Sequence, residues 1–380
     1  MRDILDDVAP WLREREPFAL ATVVRTWQSS PRPAGAAMAV ATSGQVVGSV
    51  SGGCIEGALY ELANDVLADG MARSETYRVA DDDAIGVGLT CGGTIEVFVR
   101  LIDSDACAAL EDVARLVSSG EPVAVLTDLT TGAPTRQAVL GEEATVDSDG
   151  LADIESDGSS MGLEVLDRLH RGESGLDIRI ADDGARSVMV ELFGPPPRMY
   201  VFGAIDFAAA MCRLGTFAGF AVTVVDARPV FATRARFPDA HDVVVAWPHT
   251  FLATAPVDER TVITVLTHDE KFDIPLLEVA LRSGAAYVGA LGSRSTHRRR
   301  VELLGERGVT ESELARLHSP IGLDLGASTP PETAISIVAE ILKISRQTTG
   351  LELRSLSGPI HRDAAAEIDA TSPIRSAVKC

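Results

Sequence analysis

The chain has 380 residues, 46% of them hydrophobic, and carries 55 acidic against 34 basic side chains for a formal net charge of −21. That length predicts two or three domains with ample material for buried cores, and the charge would repel a phosphate backbone, which argues against nucleic acid as a partner. No stretch reaches the ~18 uninterrupted apolar residues of a membrane span, and the five cysteines, Cys54, Cys91, Cys107, Cys212 and Cys380, lack the even count and spacing of a disulfide framework.

Taken in order, residues 3–15 read as a charged amphipathic helix without the apolar core of a secretion signal. With reduced thiols, this predicts a soluble, cytoplasmic protein. Segments 18–27 and 36–50 read as strands rich in Val, Ala and Thr, separated by a loop with two prolines and a glycine. Residues 56–70 have apolar positions at helical spacing and end in Gly70, a C-cap. A strand over 93–102, a helix over 106–120 and a strand over 121–129 follow. Residues 141–160 hold seven acids and no base, and read as an exposed loop or hairpin. "GPPP" at 194–197 stops regular structure and marks a boundary. The expected organisation is a first domain over 1–193, a second over 194–346, and a loosely held tail over 347–380.

Beyond the prolines the pattern alternates. Strands are expected at 198–204, 221–227, 242–247, 261–268 and 285–292, and helices at 206–220, 274–284, 295–308 and 331–345. Short Val-rich strands alternating with helices predict a parallel sheet covered on both faces. Gly203 stands at the strand-to-helix turn where a dinucleotide fingerprint sits, and Asp226 ends the next strand, where an acid can bond a ribose hydroxyl. Ile205 and Ala208 occupy the other two glycine positions of that fingerprint. Ile205 would crowd a pyrophosphate and Asp206 would repel it, so both work against NAD(P) or FAD. Further strand ends carry His268, Asp269 and Lys271, and Ser293, Arg294 and His297. A helix starting near Ser293 aims amides at the crevice, and arginines beside it suit phosphate. Arg298, Arg299 and Arg300 read as a solvated helix face.

Gly-Gly-x-Ile-Glu occurs twice, each time with a cysteine touching the glycine pair: Gly52-Gly53-Cys54-Ile55-Glu56, and Cys91 before Gly92-Gly93-Thr94-Ile95-Glu96. Cys54 leads into a helix, whose amide dipoles stabilise a thiolate, and a phosphate could use the same amides. Cys91 leads into a strand. Two glycine-flanked thiols brought together by the fold would make one soft-ligand site. By themselves they do not make a zinc site, which takes three or four protein ligands. Cys107 and Cys212 lie in apolar helix patterns and read as small hydrophobes.

Several ordered stretches together resemble the XdhC/CoxI family, accessory proteins of molybdenum hydroxylases. They are "SSPRPAGAAM" (29–38), "GSVSGGCIEGAL" (48–59), "GLTCGGTIEVFV" (88–99), "VVDARPVFA" (224–232), "RFPDAHDVVVAWP" (236–248), "VLTHDEKFD" (265–273), "YVGALGSRSTHRRR" (287–300) and "HSPIGLDLGASTPPETAISIVAEI" (318–341). The resemblance implies an α/β protein, an N-terminal α+β XdhC/CoxI-type domain followed by a C-terminal Rossmann-like doubly wound parallel sheet. It implies a chaperone that binds the molybdenum cofactor, molybdopterin with its metal, supports its sulfuration, and inserts it into a xanthine or carbon monoxide dehydrogenase. On that implication Cys54 and Cys91 approach the molybdenum, and the backbone around Gly52, Gly53, Gly92 and Gly93 cradles the pterin phosphate. Gly203, Asp226, His268, Asp269, Ser293 and Arg294 would line the second domain's cofactor site. A client hydroxylase, a cysteine desulfurase and a second copy of the chain are the expected partners. The family usually reads G-A-G-H where this chain has Gly203-Ala204-Ile205-Asp206. No catalytic residue is assigned. The competing expectation is a nucleotide-dependent oxidoreductase working through the second domain.

Overall fold

The computed structural model describes residues 1–27, 32–78, 93–132, 137–141, 145–146, 160–171, 173–180 and 187–357. Cys91, Gly92, Cys380 and most of the acidic run lie outside them. The chain divides into two compact units, Met1–Pro195 and Pro196–Leu356.

The N-terminal unit contains α1 (Leu5–Glu14), β1 (Phe18–Trp27), β2 (Ala37–Ala41), β3 (Val46–Gly48), α2 (Glu56–Asp69), β4 (Arg73–Tyr77), β5 (Thr94–Ile102) and α3 (Ser104–Ser119). β6 (Val123–Asp128), β7 (Gln137–Gly141), β8 (Thr145–Val146), α4 (Ser160–His170), β9 (Gly175–Ile180) and β10 (Ser187–Phe193) follow. They form two antiparallel sheets, ordered β3-β2-β1-β5-β4 and β8-β7-β6-β10-β9. The first sheet is covered on both faces, so β1 is apolar on successive residues instead of alternating. Its Ala19, Ala21 and Val23 enter the core under α2, while Phe18 and Leu20 join α1 and α3 in another. Cys107 packs in that second core, and burial pushes its thiol up to about 11.

The segment expected as one strand over 36–50 is two. Gly44 donates its amide to the Ala41 carbonyl at 2.9 Å, and Met38 then pairs with Gly48 and Val40 with Val46. Thr42, Ser43 and Gly44 are turn formers, and that local preference breaks a run whose composition reads as continuous strand. Helix α2 ends on Gly70 in the left-handed conformation, as expected. Helix α3 starts two residues before the expected position because Asp103 caps it, accepting the amides of Asp105 and Ala106. The polar edge strand β4 was invisible to an apolar-period reading.

The C-terminal unit contains β11 (Arg198–Phe202), α5 (Asp206–Phe217), β12 (Ala221–Asp226), β13 (Asp242–Val245), α6 (Pro248–Leu252), β14 (Val262–Val265), α7 (Glu270–Arg282), β15 (Tyr287–Ala290), α8 (Arg294–Glu306), α9 (Glu311–Leu314), β16 (Leu317–His318) and α10 (Pro330–Ser345). Its sheet is parallel throughout, in the order β13-β12-β11-β14-β15-β16. Helices α5 and α10 cover one face, and α6, α7 and α8 the other. This is the doubly wound, Rossmann-like sheet expected. β11 pairs with β12 on one side and β14 on the other, so the strand order reverses beside it. In such sheets the crevice beyond the carboxyl ends of the strands at that reversal is the ligand position. Among the described residues no helix is long and apolar enough to cross a membrane.

Candidate functional site

The first candidate is the loop between β3 and α2. Gly52 and Gly53 adopt φ of +81° and +124°, which residues with a Cβ rarely take. The turn aims a row of amides at one point, and that point is the carboxylate of Glu56, the first residue of α2. Its oxygens accept from the amides of Val50 (3.3 Å), Ser51 (2.9 Å), Gly52 (3.0 Å), Gly53 (2.9 Å) and Ile55 (3.2 Å). They also accept from the hydroxyls of Ser49 and Ser51, both at 2.6 Å. Burial disfavours the charge, but the donors prevail and bring the carboxyl down to about 2. The amides that the sequence left available to a phosphate are therefore taken by the chain's own acid.

Cys54 is half-buried at the end of this loop, and its amide donates to the Ser51 hydroxyl at 3.0 Å. Ser51 is itself buried. The thiol thus sits on a backbone tied from beneath, and a Cβ placed on Gly52 or Gly53 would meet nothing within 4 Å. Their outer faces are open to an approaching molecule. The two Gly-Gly-x-Ile-Glu segments differ locally. Ile55 and Ile95 enter the same core, but Glu96 lies on β5 and accepts from Arg25 at 3.3 Å and Ser74 at 3.1 Å. Gly93 is buried just ahead of that strand. Cys91 and Gly92 lie outside the described residues, among which no cluster of three metal-ligating side chains occurs.

The second candidate is the carboxyl edge of the parallel sheet. Gly203 follows β11 at φ +109°, and a Cβ there would lie 2.8 Å from Thr267 Cγ2 and 3.2 Å from the Thr267 amide. Gly203→Ala should therefore cost about 1–3 kcal/mol, from backbone strain and the clash with the β14 loop. Thermal unfolding of the variant measures this, and an unchanged midpoint would show that the turn relaxes.

Asp226 is buried at the end of β12. It accepts from the Ala204 amide at 2.8 Å, from the Arg228 amide and Nε at 2.9 Å, and from Arg228 Nη2 at 2.7 Å. Burial pushes its carboxyl up, but these donors outweigh it and hold it below the usual range. Arg228 lies over the Phe231 ring at 4.6 Å. Arg236 donates to the Ala204 carbonyl at 3.0 Å and approaches Asp206 at 3.5 Å.

On the other side of the crevice, His268 and Asp269 are exposed. Asp269 caps α7, accepting the Lys271 amide at 3.1 Å and pairing with its ammonium, which holds the carboxyl low. Ser293 caps α8 through the Thr296 amide at 3.1 Å, and Arg294 beside it is exposed. Arg298 and Arg299 are exposed as read, but Arg300 is 2% exposed. It donates to the Leu291 carbonyl at 2.7 Å, the Thr267 carbonyl at 3.2 Å and the Asp273 carboxylate at 2.5 Å. It therefore ties the β14 loop to the β15 loop from below, which a reading of three successive arginines as one face could not separate. Cys212, on α5, is buried, and its thiol is pushed up to about 12.

Gly203 and Asp226 are thus joined through Ala204, and the His268 and Ser293 loops are joined through Arg300. Cys54, Gly52 and Gly53 form a separate site in the N-terminal unit. The roles of Glu56, Arg228, Arg236 and Asp273 were missed. One signal was available, since an acid at the first position of a helix after a glycine pair is an anion placed at an amide-rich end.

Two family models match the chain: the XdhC and CoxI family over residues 11–78, and the XdhC Rossmann domain over residues 199–341. A Bacillus subtilis (strain 168) protein, named as a probable subunit of xanthine dehydrogenase, is 26% identical over 339 residues, covering 88% of this chain and 96% of that protein. The Escherichia coli (strain K12) molybdenum cofactor insertion chaperone PaoD is 24% identical over 343 residues, covering 90% and 88%. A crystal structure described as a xanthine dehydrogenase from Bacillus halodurans superposes with a TM-score of 0.70 at 26% identity, covering 91% of this chain and 96% of that one. The matches take in both the cysteine loop and the doubly wound sheet, and the chain belongs to the XdhC and CoxI family.

Proposed function

We propose that the protein is a chaperone for the molybdenum cofactor, which it binds, holds during sulfuration and passes to a hydroxylase of the xanthine or carbon monoxide dehydrogenase type. The observation that carries the reading is the Cys54 loop: a half-buried thiol on a backbone anchored by Glu56, beside two glycines whose outer faces are open. A thiolate is a soft ligand suited to a molybdenum centre. Cys91 is the second thiol of the proposed site, followed in the sequence by Gly92 and Gly93. Because Glu56 takes the loop amides, the pterin lies against the open faces of Gly52 and Gly53. The insertion chaperone among the relatives, similar along most of its length, supports this reading.

The test is the pterin content of the purified full-length protein after expression with an active cofactor pathway. Released ligand is measured by mass spectrometry. A Cys54→Ala, Cys91→Ala double variant is expected to carry about tenfold less, the usual scale for losing a metal ligand or its support. Equal loading would overturn the cysteine assignment. Affinity capture would then probe for the client hydroxylase and a cysteine desulfurase, and the mass in solution for a homodimer. The competing oxidoreductase reading works through the second domain and is tested by titration with NAD+, NADP+ and FAD.

A further inference from the structure

A doubly wound sheet carries the expectation of a dinucleotide across the strand ends, with an acid at the end of the second strand accepting the ribose hydroxyls. Asp226 holds that place. A carboxylate offers about four acceptor positions, two on each oxygen. Here Oδ1 receives the amide and Nε of Arg228, and Oδ2 receives the Ala204 amide and Nη2 of Arg228. All of its acceptor positions are filled by the chain, and the residue is 3% exposed. We infer that the C-terminal unit is closed to adenine dinucleotides in the pose its fold suggests, because Arg228 and the turn amide occupy the ribose-binding acid.

The surroundings make this arrangement hard to displace. Arg228 is seated on Phe231, and Arg236 lies over the Phe231 and Phe237 rings at 5.6 Å, so the guanidinium groups are held in place as well as paired. The turn is pinned at its amide by Asp226 and at its carbonyl by Arg236. A Cβ on Gly203 would lie 2.8 Å from Thr267 Cγ2, so the turn is packed closely against the β14 loop. Asp206 stands at the start of α5 with its side chain 87% exposed, placing negative charge where a diphosphate would approach the helix. Ile205 precedes it with a branched side chain. The residues that would recognise a nucleotide are thus used as struts that hold strands β11 and β12 in register at their carboxyl ends. The inference concerns this unit alone and stands or falls separately from the chaperone reading.

Calorimetric titration of the full-length protein with NAD+, NADP+ and FAD tests it. Wild type is expected to give no saturable heat with any of the three. Saturable binding with a Kd below roughly 0.1 mM overturns the inference. An Ile205→Gly, Asp206→Ala, Arg228→Ala variant returns the second glycine, removes the charge and opens one acceptor position on each oxygen of Asp226. It is expected to bind NAD+ at least about tenfold more tightly than wild type. Should that variant not fold, hydrogen exchange at the Ala204 amide of wild type decides. Protection unchanged by added NAD+ supports the inference, and a ligand-dependent change overturns it.

Discussion

Arg300→Ala is expected to destabilise the C-terminal unit by about 3–5 kcal/mol, the scale for breaking one partner out of a buried ion pair. Arg300 and Asp273 are each nearly inaccessible, with side chains 2% and 3% exposed. Burial raises the Asp273 carboxyl even with Thr267 and Arg300 bonded to it. Truncating the arginine leaves that acid buried against the Thr267 hydroxyl alone and strips the Leu291 and Thr267 carbonyls of a donor. Arg300→Lys should recover little, because one ammonium cannot reproduce the planar fork that serves these acceptors. An Arg300→Met, Asp273→Leu double variant should lose less than Arg300→Ala, because it removes both buried charges at once, with a cost of about 1–3 kcal/mol remaining for the Leu291 and Thr267 carbonyls that lose their donor. Hydrogen exchange at the buried amides of β14 and β15 measures all three, because it reports on the C-terminal unit alone. A loss under about 1 kcal/mol for Arg300→Ala would show that water replaces the guanidinium.

The Glu56 substitutions should act on the cysteine loop. Glu56→Ala leaves several amides and two serine hydroxyls without their acceptor. Water can reach Gly52 and Gly53, which are exposed, so the cost should be about 2–3 kcal/mol rather than the sum of the bonds. Glu56→Gln keeps the shape but is expected to do nearly as badly. Every contact to the carboxylate is a donor, so the amide nitrogen of glutamine must face another donor whichever way it is turned. Hydrogen exchange at Gly52 and Gly53 should rise by about tenfold or more in both variants, with pterin content falling alongside if the loop presents Cys54 to the cofactor. Glutamine at wild-type protection would show that the charge is not what orders the loop.

Regular elements whose cause is local were legible. Helix α2 is visible in its apolar spacing and its closing Gly70, and β11, β12 and β14 in their short Val-rich runs followed by helical segments. Elements without an apolar period were not, such as the polar edge strand β4 and the two-residue β16. The turn at residues 42–45 was hidden because the strands on either side share one composition. At the candidate sites, residue identity was readable and residue employment was not. Asp226 was recognised as an acid at a strand end, and Glu56 as the last member of a repeated pentapeptide. Which donors each meets depends on Arg228 and on the glycine loop folding back over the helix start.

By itself the sequence determined the class of each unit, the crevice position after Gly203 and the glycine-flanked setting of Cys54. These follow from periodicity, turn chemistry and motif spacing, all of which are properties of neighbouring residues. Tertiary structure alone decided that the two Gly-Gly-x-Ile-Glu segments have different jobs. One glutamate closes on five amides, while the other sits in a sheet beside Arg25. It alone decided that Arg300 is buried while Arg298 and Arg299 are solvated. The physical reason is shared. A charged side chain settles where its donors or acceptors converge, and that convergence is made by backbone segments far apart in the chain.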